Sequence, residues 1–245
     1  MSLIVTMFVR EGMVMSSDSR LTLNSNQGQP GAQIVQQLAV SQSDTNNKTF
    51  LAPNNIGIST CGAADINGVP IAGFIESFIA ENLQGQPTAI EVDQVPTLLL
   101  NYFRALPVSP ATIFHVGGYK KEQEKFIQHV YVVDIQAASI TRVNLPGVFG
   151  EQGAAWNGET DILTRLVNPV FLKNGEIYQQ LSTYSIPFQF FTLQDAIDFS
   201  VYAIATTIDS MRFMPRAKTV GGPIDVLVIK PQSAEWIQKK NLHVE

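Results

Sequence analysis

Residues 1–20 read MSLIVTMFVREGMVMSSDSR. Two short apolar runs, 3–9 and 12–17, are joined at Glu11-Gly12 and finish on Asp18-Ser19-Arg20. That spacing predicts a tight β-hairpin that starts almost at the first residue. A strand this early raises a choice. Either Ser2 is an ordinary serine at the start of a tied-down strand, or the chain terminus is itself the reactive group.

Outward from the hairpin, residues 23–47 are polar, Gln-, Asn- and Ser-rich, and contain Pro30. They read as a long loop or arm. KTFLAPNNIGISTC, residues 48–61, gives two short strands around a Pro-Asn-Asn turn signal. The period then becomes helical over 64–83, through Val69, Ala72, Ile75, Phe78, Ile79 and Leu83, with Gly85 and Pro87 as stops. A second helix is expected over 91–105, a three-strand meander over 111–144, and a short helix over 159–168. TLQDAIDFSVYAIATTIDSM, residues 192–211, is the clearest helix, with Thr192 as N-cap and Asp195 three residues on. Ile197, Val201, Ile204, Ala205 and Ile208 are expected to form its buried stripe. A last strand falls on PIDVLVIKP, residues 223–231.

Helices and strands come in blocks, without βαβ alternation. The expectation is therefore an α+β fold, two antiparallel sheets between helix layers. The length of 245 residues suits one domain over 1–245, with 23–47 and 212–219 as inserted loops.

The chain is 45% hydrophobic and 15% charged, with net charge -5. A mildly acidic surface argues against a nucleic-acid partner, which draws on clustered Lys and Arg. The one cysteine, Cys61, leaves no internal disulfide framework and suits a reducing compartment. No signal-peptide pattern and no apolar run of membrane-spanning length is present, so a cytoplasmic protein without a membrane partner is expected. His115, His129 and His243 are scattered, without HExxH or CxxC spacing, so neither a metal site nor a cofactor is expected.

Taken singly, Asp18 reads as a turn or salt-bridge residue, Lys48 as a solvated lysine and Cys61 as a small structural residue. Together with Ser2 they form a chemical set. A small residue after Met1 permits removal of the methionine, which leaves hydroxyl and α-amine on Ser2. An α-amine titrates near 7.7–8.0 and serves as a general base at neutral pH without a histidine. A buried lysine stabilises negative charge nearby, and an aspartate keeps that lysine charged and oriented.

The hairpin with its Asp-x-Arg end, KTFLAPNNIGISTCGAAD at 48–65, and LQDAIDFSVYAIATTIDS followed by VGGPIDVLVIKP together resemble the proteasome-type N-terminal nucleophile hydrolases. These are the proteasome β subunits and their bacterial relatives. The resemblance implies a four-layer αββα sandwich. It places Ser2 at the nucleophile position, where the proteasome has threonine, and puts Asp18, Arg20 and Lys48 on the family's aspartate, arginine and lysine. Cys61 or Gly62 falls on the residue whose backbone N–H forms the oxyanion hole. Asp65 ends a Gly-Ala-Asp-like motif, Asp209 matches the aspartate of the family's last long helix, and Gly221-Gly222 match the paired glycines. Trp156-Asn157-Gly158 stands where the family has Gly-Ser-Gly, and Val220 stands where it has serine.

What the resemblance implies is a serine hydrolase of peptide or amide bonds, forming a ring-like homo-oligomer. Asn157 and Asp209 would orient the amine. An ATP-dependent partner is left open. Two other readings remain beside it, a structural subunit of such an assembly without activity and an amidase for small amides.

Overall fold

The computed structural model describes residues 2–27, 35–86, 89–145, 151–182 and 185–241. Strands β1 (Leu3–Val9) and β2 (Gly12–Ser17) form the expected hairpin, with Ile4 opposite Ser17 and Val9 opposite Gly12. Every residue of both strands is buried, which explains apolar runs without alternation. The polar arm is not a plain loop. β3 (Leu21–Gln27) and β4 (Val35–Ser43) pair with each other, and the rest of its 23–47 stretch between them, 28–34, lies outside the described residues.

β5 (Thr49–Ala52) and β6 (Ile56–Gly62) flank the Pro-Asn-Asn turn, where Asn54 and Asn55 take the left-handed φ values of 62° and 57°. Asparagine tolerates that region better than most residues. The first helix begins later than its period suggests, because β7 (Asp65–Ile66) and β8 (Val69–Pro70) turn at Asn67-Gly68. The Asp65 carboxylate accepts the Gly68 N–H at 2.8 Å and fixes this turn. Then come α1 (Ile71–Asn82) and α2 (Val95–Ala105).

The meander is β9 (Thr112–Glu122), β10 (Lys125–Asp134) and β11 (Ser139–Arg142). β12 (Gly153–Gly158), α3 (Asp161–Val167), β13 (Phe171–Asn174) and β14 (Ile177–Gln180) follow. α4 (Leu193–Arg212) carries the capping box: Thr192 Oγ1 accepts the Asp195 N–H, and the Asp195 carboxylate accepts the Thr192 N–H. β15 (Asp225–Lys230) and β16 (Ser233–Gln238) close the described chain.

The strands form one five-stranded sheet in the order β12-β1-β2-β15-β16 and another in the order β11-β10-β9-β6-β5. The expectation of a four-layer αββα sandwich, two sheets between helix layers, is corrected. The described residues form five separate sheets with four α-helices, a mixed α/β arrangement. The physical reason is local. β3–β4, β7–β8 and β13–β14 are ribbons that satisfy their inner edges with each other and join neither large sheet.

Three clusters hold these parts together. α1 and α2 pack Ile75, Phe78, Leu99 and Phe103 onto Ile58, Phe114 and Val116 of β6 and β9. α3 and α4 pack Leu163, Ala203 and Ile204 onto Leu3, Val5 and Val14. Phe8, Met13 and Met15 meet Val130 and Leu227 where the two large sheets face each other. That contact is close: a Cβ on Gly57 would lie 2.4 Å from Met15 Sδ, and one on Gly117 2.3 Å from Met13 Sδ. Truncating a fully buried ring such as Phe78 to alanine is expected to cost about 3–5 kcal/mol. No helix among the described residues is long and apolar enough to cross a membrane.

Candidate active site

Asp18 is the first residue past β2 and is fully buried. Its carboxylate joins four separate segments. Oδ1 accepts the Leu3 N–H at 3.0 Å and Lys48 Nζ at 2.7 Å. Oδ2 accepts the Arg20 N–H at 3.1 Å and the Gly221 N–H at 3.0 Å. Lys48 precedes β5 and is itself 2% exposed. Burial pushes its pKa down, and the charge and hydrogen bond of Asp18 oppose that shift. A buried ammonium in this setting is retained by its partner, because an unpaired charge there is costly.

Ser2 lies where β1 begins, with its carbonyl accepting the Glu159 N–H at 2.8 Å. Gly158 permits this approach. Its φ is +104°, and a Cβ there would lie 1.8 Å from the Ser2 carbonyl oxygen. Ser2, Thr22, Asn46, Lys48, Thr60 and Cys61 line one narrow cleft. The hydroxyls of Thr22 and Thr60 are buried without a protein partner. Across the end of β6 lies a wider cleft of about 840 Å³, lined by Cys61, Gly62, Asp134, Trp156 and Asn157 among others.

Cys61 and Gly62 thus sit between the two clefts. Burial pushes the Cys61 thiol up to about 12, so it is protonated at neutral pH and a poor nucleophile. Arg20 is held against Asp44 by two hydrogen bonds of 2.7 Å. It packs so closely on Gly221 that a Cβ there would lie 2.4 Å from Arg20 Cζ. The paired glycines therefore act as the floor beneath the Asp-x-Arg end of the hairpin. Asp65 is spent on its own turn.

The structure does not bring Asn157 and Asp209 to the same place. Asn157 faces Ile4 across β1, and its Oδ1 lies 2.8 Å from His115 Nε2. His115 Nδ1 lies 2.8 Å from Thr6 Oγ1. An amide oxygen only accepts, so Nε2 carries the proton; with the ring neutral at neutral pH, Nδ1 accepts from the Thr6 hydroxyl. Burial lowers the His115 pKa to about 4. Asp209 lies on the outer face of α4, its side chain 70% exposed and 3.9 Å from Arg212.

Residues that sequence reasoning missed surround this site. Glu159 follows Gly158 directly and is ion-paired with Arg216 and hydrogen-bonded by Thr219. Arg216 also reaches Asp161 at 2.9 Å. The available signal was an acidic residue next to Asn157-Gly158 and a threonine one position before Val220. Among the described residues, no group of three or more His, Cys, Asp or Glu side chains is arranged to hold a metal ion. No family model matches this chain, and no curated protein matches it either.

Proposed function

We propose that the narrow cleft is the active site of an N-terminal serine hydrolase of peptide or small amide bonds. The observation that carries this reading is the buried Lys48–Asp18 pair lining one cleft with Ser2. The mechanism needs Ser2 as the first residue, so Met1 must be removed; Met1 lies outside the described residues. Ser2 Oγ forms a bond to the substrate carbonyl carbon while its proton passes to the α-amine. Lys48 stabilises the developing negative charge, and a backbone N–H at Cys61 or Gly62 receives the oxyanion. Collapse breaks the C–N bond, the leaving amine takes the proton, and water then hydrolyses the Ser2 ester. No cofactor enters this scheme.

The narrowness of the cleft favours small groups beside the scissile bond. The buried, protonated thiol suits a reducing compartment, and we place the protein in the cytoplasm. Exposed Phe171, Leu172, Ile177 and Tyr178 on the β13–β14 ribbon support self-association as a homo-oligomer. A second reading is a structural subunit without activity. It is favoured by Asn157 being held by His115 and by Asp209 facing outward.

Intact mass of untagged protein and acylation by p-nitrophenyl acetate, each compared with Ser2→Ala, separate the two readings. Loss of Met1 together with nitrophenolate release that Ser2→Ala abolishes supports the hydrolase. Retained Met1, or release unchanged in Ser2→Ala, leaves the structural subunit.

A further inference from the structure

The two clefts differ in the charge on their walls. Arg20 and Lys48 line the narrow one together with Ser2. The wide one is lined by a carboxylate, Asp134, and by no lysine or arginine among the described residues. Cys61 belongs to both walls, so the wide cleft opens beside a residue that the hydrolase reading uses at the oxyanion. The strand register fixes how far Asp134 lies from that point. Cys61 of β6 pairs with Ile113 of β9, and Ile113 pairs with Asp134 of β10. All three line the wide cleft and form one row across the sheet. Directly opposed residues of antiparallel strands carry side chains on one face with Cα atoms about 5 Å apart, so Asp134 stands about 10 Å from Cys61.

Asp134 is held but not neutralised. Its Oδ1 accepts the Ala137 N–H at 2.9 Å in the turn after β10, and Oδ2 has no protein partner among the described residues. Thr112 lines the same cleft, is 1% exposed, and has a hydroxyl without a protein partner. A buried hydroxyl left open on a cleft wall is available to a bound ligand or water. We propose that the wide cleft is the subsite for a lysine or arginine side chain on the residue beside the scissile bond, with Asp134 as its specificity-determining group. The substrate class, peptides or amides with a cation at that position, rests on the hydrolase reading; binding of the cation does not. A row of about 10 Å from Cys61 to the carboxylate suits a long cationic side chain and leaves a short one out of reach. Arg20 and Lys48 turn the same charge away from the narrow cleft, which takes the small group on the other side of the bond. A neutral side chain of equal length gains the contact with Ile113 and Trp156 but leaves Asp134 Oδ2 without a counter-ion.

The test uses full-length protein beginning at Ser2 and carrying Trp236→Phe, which leaves Trp156 on the cleft wall as the one tryptophan. Nα-acetyl-lysine amide and its uncharged counterpart, Nα-acetyl-norleucine amide, are titrated against its fluorescence. Asp134→Asn is the variant, because asparagine keeps an acceptor for the Ala137 N–H. The lysine compound should bind about tenfold more tightly than the norleucine compound, and Asp134→Asn should erase that difference. Equal affinities for the two compounds, no saturation by the lysine compound, or a preference that survives in Asp134→Asn overturns the proposal. The peptide Ala-Ala-Ala-Lys-Ala-Ala-Ala and its norleucine counterpart are then incubated with the same proteins and with Ser2→Ala, and cleavage beside the fourth residue is read by mass spectrometry. Cleavage that favours lysine and vanishes in Ser2→Ala supports the substrate class, and equal cleavage of the two peptides overturns it. Cleavage of neither, with charge-dependent binding intact, counts against the hydrolase reading alone.

Discussion

Two buried polar clusters lie on either side of β1, and they differ in charge. Asp18–Lys48 is ionic, draws donors from four segments and borders an open cleft. Thr6–His115–Asn157 is neutral, runs in a line between facing strands, and has its histidine fully buried. The neutral relay solves a packing problem, since each hydroxyl, ring nitrogen and amide oxygen in it finds a partner. The ionic pair likewise satisfies four donors, and its lysine lines the same cleft as Ser2.

The comparison is broken most strongly at Asp18. Asp18→Ala strands the Lys48 charge and leaves the N–H groups of Leu3, Arg20 and Gly221 without their acceptor. We expect a loss of about 3–5 kcal/mol in urea unfolding, together with loss of any Ser2-dependent acylation. A paired Asp18→Leu, Lys48→Met change should recover only the part due to the stranded Lys48 charge and none of the acylation, because the Leu3, Arg20 and Gly221 N–H groups still lack an acceptor.

The neutral relay should instead announce itself through pH. The folded His115 has a pKa near 4 against 6.5 for the free side chain, so the unfolded chain takes up the proton first. Its contribution is fully present above pH 6.5 and is lost progressively as pH falls toward 4. About 3 kcal/mol is at stake for a difference of that size. Urea midpoints between pH 7 and 4 should fall less in His115→Gln than in wild type; equal slopes would contradict a buried neutral ring.

Smaller still is Thr6→Val, which removes the donor to His115 Nδ1 and should cost about 1–2 kcal/mol by the same unfolding assay. The smallest effect is expected at Asp209. Asp209→Ala should change stability by no more than about 0.5 kcal/mol and leave acylation unchanged, since its ion pair is long and exposed. A large loss of activity there would place this residue nearer the chemistry than its helix face allows.

The legible parts of the sequence were those whose neighbours are close in the chain. The hairpin 3–17 and the meander over 112–142 follow from apolar runs and short turns. The arm was read as a loop because its Gln, Asn and Ser residues carry no period-two signal, yet backbone pairing in β3–β4 needs none. α4 was placed correctly, but its buried face is turned from the stripe of large residues. Ala196, Ser200, Ala203, Ile204 and Thr207 face inward, and Ser200 Oγ lies 2.7 Å from Ser16 Oγ. Small residues let the helix approach the sheet closely, and that approach sets the outward direction of Asp209. The convergence of Asp18 and Lys48 was legible only through the family resemblance, because it depends on Asn46 N–H bonding Ser19 C=O and Thr60 N–H bonding Lys48 C=O. Glu159 and Thr219 meet across 60 residues through the loop after α4, and no local pattern encodes that distance.

The four donors on Asp18 also set an order in time. Residues 3, 18, 20 and 48 leave the ribosome early, whereas Gly221 and β15, the strand that covers the open edge of β2, are made near the end of the described chain. Until they arrive, Asp18 Oδ2 holds only the Arg20 N–H and the hairpin has an exposed edge. The site therefore cannot be complete in a nascent chain, and any reactivity of Ser2 is withheld until almost the whole described sequence has been synthesised and folded.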